Sequence, residues 1–584
     1  MYLENVNGPA DVKVLDAEGR RALAQEVRDA LLKKESVRGG HFGPNFGFVE
    51  ATIALHSVFD SPHDHLVFDI SHQTYIHKML TGRKDAFLFE EHYDDVSAYS
   101  NPKETDHDLF EVGHTSTSVA LALGMAKARD VMGDHENVVA IIGDGSLSGG
   151  EALEGLDAAA ELDSNFIVVF NDNQMSIAEN HGGIYPGLAR LRESGSQAED
   201  NLFRVMGFDY LYVADGNDTE ALISAFSKVK DINHPVVVHV NTVKGKGYAP
   251  AEENKEAWHW HGPFDVATGE GLWPRRETYG SLTGTYLVER ARRDPKLLIV
   301  ASGVPGAMGL NSERREELGK HYVDVGIAEE CAVALASGAA KRGAHVVWGS
   351  EATFIQRTYD QLSQDLSING NPATILGGDG SVWGMSDVTH AAFYSIPMIA
   401  NIPGIVFLAP TSAEEYLGML EWSLNQSEHP VYIAVPGGPV RHSATPVRGD
   451  YSQLGRFEVV RRGSKVAILA LGDFFELGEK AADLLSHELG HEVTLVNPLF
   501  ASGLDESMLD ELATDHRLIV TLEDGSLDGG FGEKVARHFG TSKTLVANYG
   551  FKKAFYDRYD ASELMREAHL TPEQICADAM ALLG

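Results

Sequence analysis

The sequence predicts an α/β protein of three doubly wound α/β domains with mostly parallel sheets. Three observations lead there. Short β-branched runs alternate with longer helical stretches along the whole chain. The runs are apolar on both faces, as strands covered by helices on either side must be. The 59 glycines concentrate in tight turns such as Gly143-Asp144-Gly145 and Gly529-Gly530, where a strand hands over to a helix. Repeated strand–turn–helix units of this kind stack into parallel sheets.

In chain order the strand candidates are Val138–Gly143, Phe166–Asn171, Val236–Val240, Leu297–Ala301, Val346–Gly349, Val466–Leu471, Glu492–Val496 and Leu518–Leu522. Thr117–Met132, rich in alanine, and Phe475–Leu489 read as helices between them. Two composition shifts mark boundaries. Ala249–Arg276 is polar and tryptophan-rich, and Pro436–Asp450 is rich in glycine, proline and basic residues. The blocks they separate are 1–270, 278–440 and 450–584.

A chain of 584 residues exceeds what one hydrophobic core holds, which agrees with several domains. Its 85 acidic and 48 basic side chains give a formal charge of −37. A field of that sign repels nucleic acid and anionic membranes, so neither is an expected partner. An anionic substrate then needs a local basic pocket. Cys331 and Cys576 are the only cysteines, too few for a disulfide framework, as suits a reducing cytoplasm. Met1–Asp11 carries no basic-then-apolar leader, and no apolar run approaches the roughly 20 residues that span a bilayer. A soluble cytoplasmic protein is expected.

The strongest local signal is Val138-Val-Ala-Ile-Ile-Gly-Asp-Gly145 followed by Phe166-Ile-Val-Val-Phe-Asn-Asp-Asn173. Asp144 and Asn173 each close an apolar strand, and the carboxyl ends of neighbouring parallel strands lie together where ligands bind. Magnesium takes hard oxygen ligands in octahedral geometry and shares them with phosphate groups. The Asp144 carboxylate, the Asn173 amide oxygen and the Met175 carbonyl supply three, and a diphosphate and water complete the shell. Gly143 and Gly145 let the backbone come close. A tight turn alone accounts for Gly-Asp-Gly but not for the second motif. Together they resemble the thiamine-diphosphate (ThDP) motif, and no GxGxxG with a distal acid supports a dinucleotide instead.

Other segments widen the likeness. They are Gly39-Gly-His-Phe-Gly-Pro-Asn-Phe-Gly47, Asp69-Ile-Ser-His-Gln-Thr-Tyr-Ile-His-Lys-Met-Leu-Thr-Gly-Arg83, Gly113-His-Thr-Ser-Thr-Ser118, Lys244-Gly-Lys-Gly-Tyr-Ala-Pro-Ala-Glu252, Asp324-Val-Gly-Ile-Ala-Glu329 and Thr353-Phe-Ile-Gln-Arg357. With them the chain resembles the 1-deoxy-D-xylulose-5-phosphate synthase family of the transketolase superfamily, from about Tyr2 to its end. The resemblance implies a diphosphate-binding domain at 1–270, an aminopyrimidine-binding domain at 278–440 and a transketolase C-terminal domain at 450–584 that supports a homodimer. ThDP and Mg2+ are the implied cofactors.

The resemblance also implies roles. Glu329 matches the glutamate that hydrogen-bonds the aminopyrimidine, and Phe354 the aromatic that stacks on it. His41, His72 and His114 match histidines around the diphosphate and the reacting carbon, where a ring that exchanges protons near neutral pH is useful. Gly113, Ser116 and Ser146 fall in the cofactor-binding segments. Lys244 and His261 match positions near diphosphate and substrate, with His259 competing because the alignment slips around Trp258-His-Trp-His261. His390 matches the histidine facing the donor, so the implied catalytic set is Glu329, His41, His390 and His261. The implied reaction moves a two-carbon unit from a 2-oxo donor to an aldehyde, pyruvate losing carbon dioxide and glyceraldehyde 3-phosphate or a related aldehyde accepting. Ketol transfer between sugars, and an inactive ThDP-binding paralogue with a regulatory role, are the alternatives.

Departures from the family gather where the acceptor is set. The stretch after Ile177 is short. Asp379 and Gly437 stand where the family has arginines for the acceptor phosphate. Glu351 replaces a tyrosine, Ser386 replaces an aspartate with Asp387 beside it, and Glu329-Glu330-Cys331 replaces Glu-Gln-His. Arginine grips phosphate through charge-assisted, often bidentate bonds, and aspartate repels it. Arg357, Arg441, Arg275 and His442 are the side chains expected to take over, Arg441 first.

Overall fold

A computed structural model of the chain describes residues 2–274 and 276–584. Its backbone falls into two compact units. One runs to residue 275 and takes in Gly326–Ala328; the other holds Arg276–Val325 and Glu329–Gly584.

The first unit is built on a five-stranded sheet. Its strands are β1 (His65–Phe68), β2 (Val138–Gly143), β3 (Phe166–Asp172), β4 (Asp209–Val213) and β5 (Pro235–Asn241), in the order β1-β2-β3-β5-β4. All four pairings are parallel. Strand β3, Phe-Ile-Val-Val-Phe-Asn-Asp, is buried over its whole length, because helices cover both faces of a parallel sheet. One face packs Val138, Ala140, Val168 and Phe170 under the helix Ser118–Met132. The other packs Val139, Ile141, Ile167 and Val169 against Phe48, Leu55 and Phe226. Register then sets the site. Gly143 lies opposite Asn171, and Asp172 opposite Asn241. Residues following β1, β2, β3 and β5 therefore emerge side by side at one sheet edge.

The second unit holds two sheets. The first contains β6 (Leu297–Ala301), β7 (Tyr322–Asp324), β8 (His345–Glu351), β9 (Ala373–Gly378), β10 (Val406–Leu408) and β11 (Val431–Ala434), ordered β10-β11-β9-β8-β6-β7 and parallel throughout. The next contains β12 (Glu458–Arg461), β13 (Lys465–Ala470), β14 (Thr494–Asn497), β15 (His516–Ser526) and β16 (Leu545–Phe551), ordered β12-β14-β13-β15-β16. Only β12 runs antiparallel, at the edge. The two sheets share a core in which Trp348, Phe407 and Ile375 meet Val496, Ile519 and Phe531. At the end of β15 the buried Glu523 accepts the N–H groups of Phe531 and Gly532, which fastens the helix Phe531–Phe539 to the strand. The expected fold class is the one found: three mostly parallel α/β sheets.

The predicted strands fall on β2, β3, β5, β6, β8, β13, β14 and β15, with ends moved by at most two residues except in β15, which runs four residues past the predicted end. Cys331 and Cys576 are both free thiols. Among the described residues no helix is long and apolar enough to cross a membrane.

Candidate active site

In the first unit, four strand ends build one polar cluster. After β1 the chain enters Ile70 and Ser71 at φ 59° and 67°, left-handed values that a β-branched residue adopts only under constraint. Just before them, the buried Asp69 carboxylate accepts the N–H groups of Ser116 at 2.9 Å and Ser118 at 3.0 Å. Ser116 is itself at φ 79°, and its hydroxyl donates to the Ser146 carbonyl at 2.9 Å. Asp69 thus ties the His72, Gly113-His114 and Ser146 loops into one floor.

Asp144, almost fully buried at the end of β2, accepts from the Asn180 amide at 2.6 Å, and its carbonyl accepts from the Tyr185 hydroxyl at 3.1 Å. Burial, reinforced by the Asp172 carboxylate, pushes the Asp144 carboxyl up to about 7. Asp172 itself is ion-paired to Arg192 and His239, which hold it below the usual carboxylate range against the upward effect of burial. Asn173 turns its amide oxygen to the Met175 N–H at 3.1 Å. Lys244, just past β5, is buried with its ammonium on the Ser176 carbonyl at 2.6 Å, and burial lowers it to about 7 while Asp144 works the other way.

These residues fit a magnesium diphosphate. Asp144, Asn173 and the Met175 carbonyl are the hard oxygen set such an ion takes. Ser176 Oγ and Asn180 Oδ1, beside them in sequence, are buried without a hydrogen-bond partner among the described residues. A Cβ on Gly143 would meet no described atom within 4 Å, so that turn opens onto free space, whereas a Cβ on Gly145 would fall 2.9 Å from Ser176 Oγ.

Three histidine rings pack beside this cluster. His41 meets His72 at 5.0 Å and His259 at 5.7 Å, and His72 stacks on His259 at 5.3 Å. Burial, with Lys244, His72 and His41 adjacent, holds His259 well below its ordinary value, so it is neutral at pH 7. His261 does not join them. Its ring stacks on Trp258 at 4.2 Å and its Nδ1 meets the Gly262 carbonyl, while its backbone pairs with Gly40. Of the two competing histidines, His259 is the one whose ring packs in this cluster. His114 is exposed, with Nδ1 3.4 Å from the Thr115 carbonyl.

In the second unit, Glu329 opens the helix Glu329–Lys341 and is 2% exposed. Burial pushes its carboxyl up to about 7, although the Arg357 guanidinium lies 3.4 Å away and opposes the shift. Phe354, on the turn after β8, meets the buried His390 ring at 5.5 Å, and His390 Nδ1 lies 2.9 Å from the Thr389 hydroxyl. The Ser386 carbonyl accepts from the Arg558 N–H at 2.8 Å, and burial, with Asp557 near, raises Asp387.

The side chains expected to replace the phosphate arginines are otherwise engaged. Arg441 pairs with Glu479 and lies over the Phe475 ring. His442 sits between Glu277 and Glu414, at 2.8 Å from each. Arg357 serves Glu329 and Glu330. Arg275 lies outside the described residues. Asp379 takes a left-handed φ of 50°, and burial, with Asp379 near, raises Glu351 well above its usual range. A methyl group on Gly437 would fall 2.6 Å from the Ser381 Cβ.

Comparison with known proteins places this architecture. The 1-deoxy-D-xylulose-5-phosphate synthase pattern matches residues 3–199 and 194–242, the transketolase pyrimidine-binding domain residues 277–441, and the transketolase C-terminal domain residues 455–575. A 1-deoxy-D-xylulose-5-phosphate synthase of Desulforudis audaxviator is 36% identical, covering 99% of this chain and 97% of that one. The chain belongs to the 1-deoxy-D-xylulose-5-phosphate synthase family. Another such synthase, of Shouchella clausii, is 35% identical over 100% of this chain and 99% of its own. The family is one of ThDP-dependent transferases.

Sequence reasoning missed Asp69, Asn180, Tyr185 and Asp172 as parts of this site. Asp69 begins the segment Asp69–Arg83 and Asp172 sits inside the Asn-Asp-Asn motif, where neither residue's own pattern assigns it a role. Asn180 and Tyr185 lie in the short stretch after Ile177 and carried no signal.

Proposed function

We propose that the chain decarboxylates pyruvate and joins the remaining two-carbon unit to glyceraldehyde 3-phosphate or a related aldehyde, with ThDP and magnesium. What supports the reading is Glu329, a buried carboxyl pushed up to about 7, in a chain whose full-length relatives are synthases of this kind. Bound ThDP supplies a thiazolium carbon that adds to a 2-oxo acid and stores the electron pair released with carbon dioxide.

The protein's own residues do the rest. Asp144, Asn173 and the Met175 carbonyl hold magnesium, with Lys244 as a positive neighbour for the diphosphate. Gly113, His114, Ser116, Gly143, Gly145 and Ser146 surround the same group, and Phe354 stacks on the aminopyrimidine. Glu329 holds a proton against the aminopyrimidine nitrogen; a carboxyl near 7 shares it readily at neutral pH. His41 and His72 exchange protons with the reacting oxygen, the neutral His259 ring packs beside them, and His390 orients the donor. The protein works in the cytoplasm as a homodimer.

The test is carbon dioxide release from pyruvate by Glu329→Gln. The variant should bind ThDP, measured by calorimetry, yet release carbon dioxide about 10²-fold or more slowly, the range that positioned proton transfer supplies. Parental rates would end the assignment. Chelating the metal should abolish activity, and added magnesium should restore it.

A further inference from the structure

We infer that Asp557, in the segment after β16, is a positioning residue for the two-carbon transfer, acting by holding the turn that carries His390. This rests on the reaction proposed above, in which His390 orients the donor.

His390 lies within residues 379–394, the connection from β9 to the helix Ser395–Ile399, which carries no helix or strand among the described residues. So long a loop without regular structure is uncommon in a compact domain and needs anchors from outside itself. Within it, the Asp387 carbonyl accepts the N–H groups of His390 at 2.8 Å and Ala391 at 2.9 Å, closing one turn at the root of the His390 ring. The anchors of that turn come from the other sheet's side. The Asp557 carboxylate accepts the Val388 N–H at 3.3 Å, and the Arg558 N–H donates to the Ser386 carbonyl at 2.8 Å. Asp387 is thereby pinned through both of its chain neighbours. Further along, the Tyr394 hydroxyl donates to the Ala554 carbonyl at 2.6 Å, and the Phe393 carbonyl accepts the Ser526 N–H at 2.8 Å. Near the loop's start, Asp524 accepts from the Ser381 hydroxyl at 2.6 Å and the Val382 N–H at 3.1 Å.

Packing follows the same division. The Phe393 ring meets Phe551 at 4.7 Å, Tyr556 at 4.9 Å and Tyr559 at 5.7 Å. Val382, Ala391 and Phe393 are buried in one core with Val466, Leu518 and Phe551, residues of β13, β15 and β16. The loop leaves one sheet and is held by the next.

Most of these anchors are buried, and removing them would loosen the core itself. Asp557 differs. Its side chain is 22% exposed, pairs with Arg558 at 3.3 Å, and reaches the loop two residues before His390. Without it the Val388 N–H loses its acceptor and the turn is free to shift. On its other side the His390 ring meets Phe354 at 5.5 Å, so a shifted turn moves the ring relative to the aromatic proposed to stack on the cofactor. A displacement of about 1 Å in a positioned group can cost about 10²-fold in rate.

The experiment measures carbon dioxide release from pyruvate by the full enzyme with ThDP, magnesium and glyceraldehyde 3-phosphate. Asp557→Ala should lower kcat/KM for pyruvate about tenfold, with ThDP affinity by calorimetry unchanged. Asp557→Asn, whose amide oxygen still accepts the Val388 N–H, should recover most of that loss. In a His390→Ala background the effect of Asp557→Ala should vanish, because the carboxylate acts through the ring. A residue that only stabilised the fold would cost the same in both backgrounds. Parental kcat/KM in Asp557→Ala, or an equal loss with and without His390, would overturn the inference and leave the two-carbon transfer standing. No release by the parent would remove the proposed reaction and the inference with it. Tyr394→Phe, which cuts the same segment's bond at Ala554, should show the same dependence on His390 and decides the matter if Asp557→Ala does not fold.

Discussion

Both oxygens of Glu35 are buried without a hydrogen-bond partner among the described residues, and burial pushes the carboxyl up to about 8. Its ordinary value is 4.5, so the folded protein keeps a proton that the unfolded chain loses between those values. Stability contributed by this group therefore falls as pH rises across that window. Glu35→Gln removes the titration. In thermal melts the variant's melting temperature should climb relative to the parent's from about pH 5 to about pH 9. A difference that ignores pH would mean the carboxyl is already charged. Asp69 gives a second prediction at this scale. Asp69→Ala leaves the Ser116 and Ser118 N–H groups without their acceptor, so calorimetry should find ThDP binding weakened by about 1–3 kcal/mol. Unchanged affinity would show that the loops hold themselves. Residue identities were legible where a motif carried them, as with Asp144 and Asn173. Choosing between His259 and His261 was not possible from Trp-His-Trp-His, because only ring packing separates them.

The segment from Tyr75 to Arg83 is fixed by buried charge rather than by helix length. Asp108, 4% exposed, accepts from His77 at 3.0 Å and from Arg83 at 2.8 and 2.9 Å, and the Asn101 N–H reaches it at 2.7 Å. His77 in turn meets His56 at 2.9 Å. These partners hold the Asp108 carboxyl far below its usual range, against the cost of burial. Removing one member of such a network strands the others, so Asp108→Ala should lose about 3–5 kcal/mol in urea unfolding. An unchanged midpoint would mean water replaces the carboxylate. Legibility did not follow length alone, since the four-residue β14 was read and the seven-residue β16 was not. β2 and β6 were read end to end, and β3 to within a residue. β7, β10 and β11 are runs of three or four residues whose extended form comes from their sheet neighbours, not from their own pattern.

A formal charge of −37 surrounds a site that must admit anionic pyruvate. Raising ionic strength from about 10 mM to about 150 mM shortens the screening length from about 30 Å to about 8 Å. kcat/KM for pyruvate should therefore rise with salt over that range, as repulsion by the whole molecule is screened. A fall would mean that local cations such as Lys244 dominate the approach. At this scale the fold class was fully legible, since strand–helix alternation repeats along the whole sequence. The pairing of Arg441 with Glu479 was not, because it joins residues distant in the chain. The contact between Gly437 and Ser381 carries a historical consequence. With 2.6 Å between their Cβ positions, no side chain enters at 437 while Ser381 stands. Any lineage leading to or from an arginine at this position must pass through a glycine at 381 or a displaced loop. The two sites are thus epistatic, and the order of their substitutions is set by steric exclusion before selection acts on either.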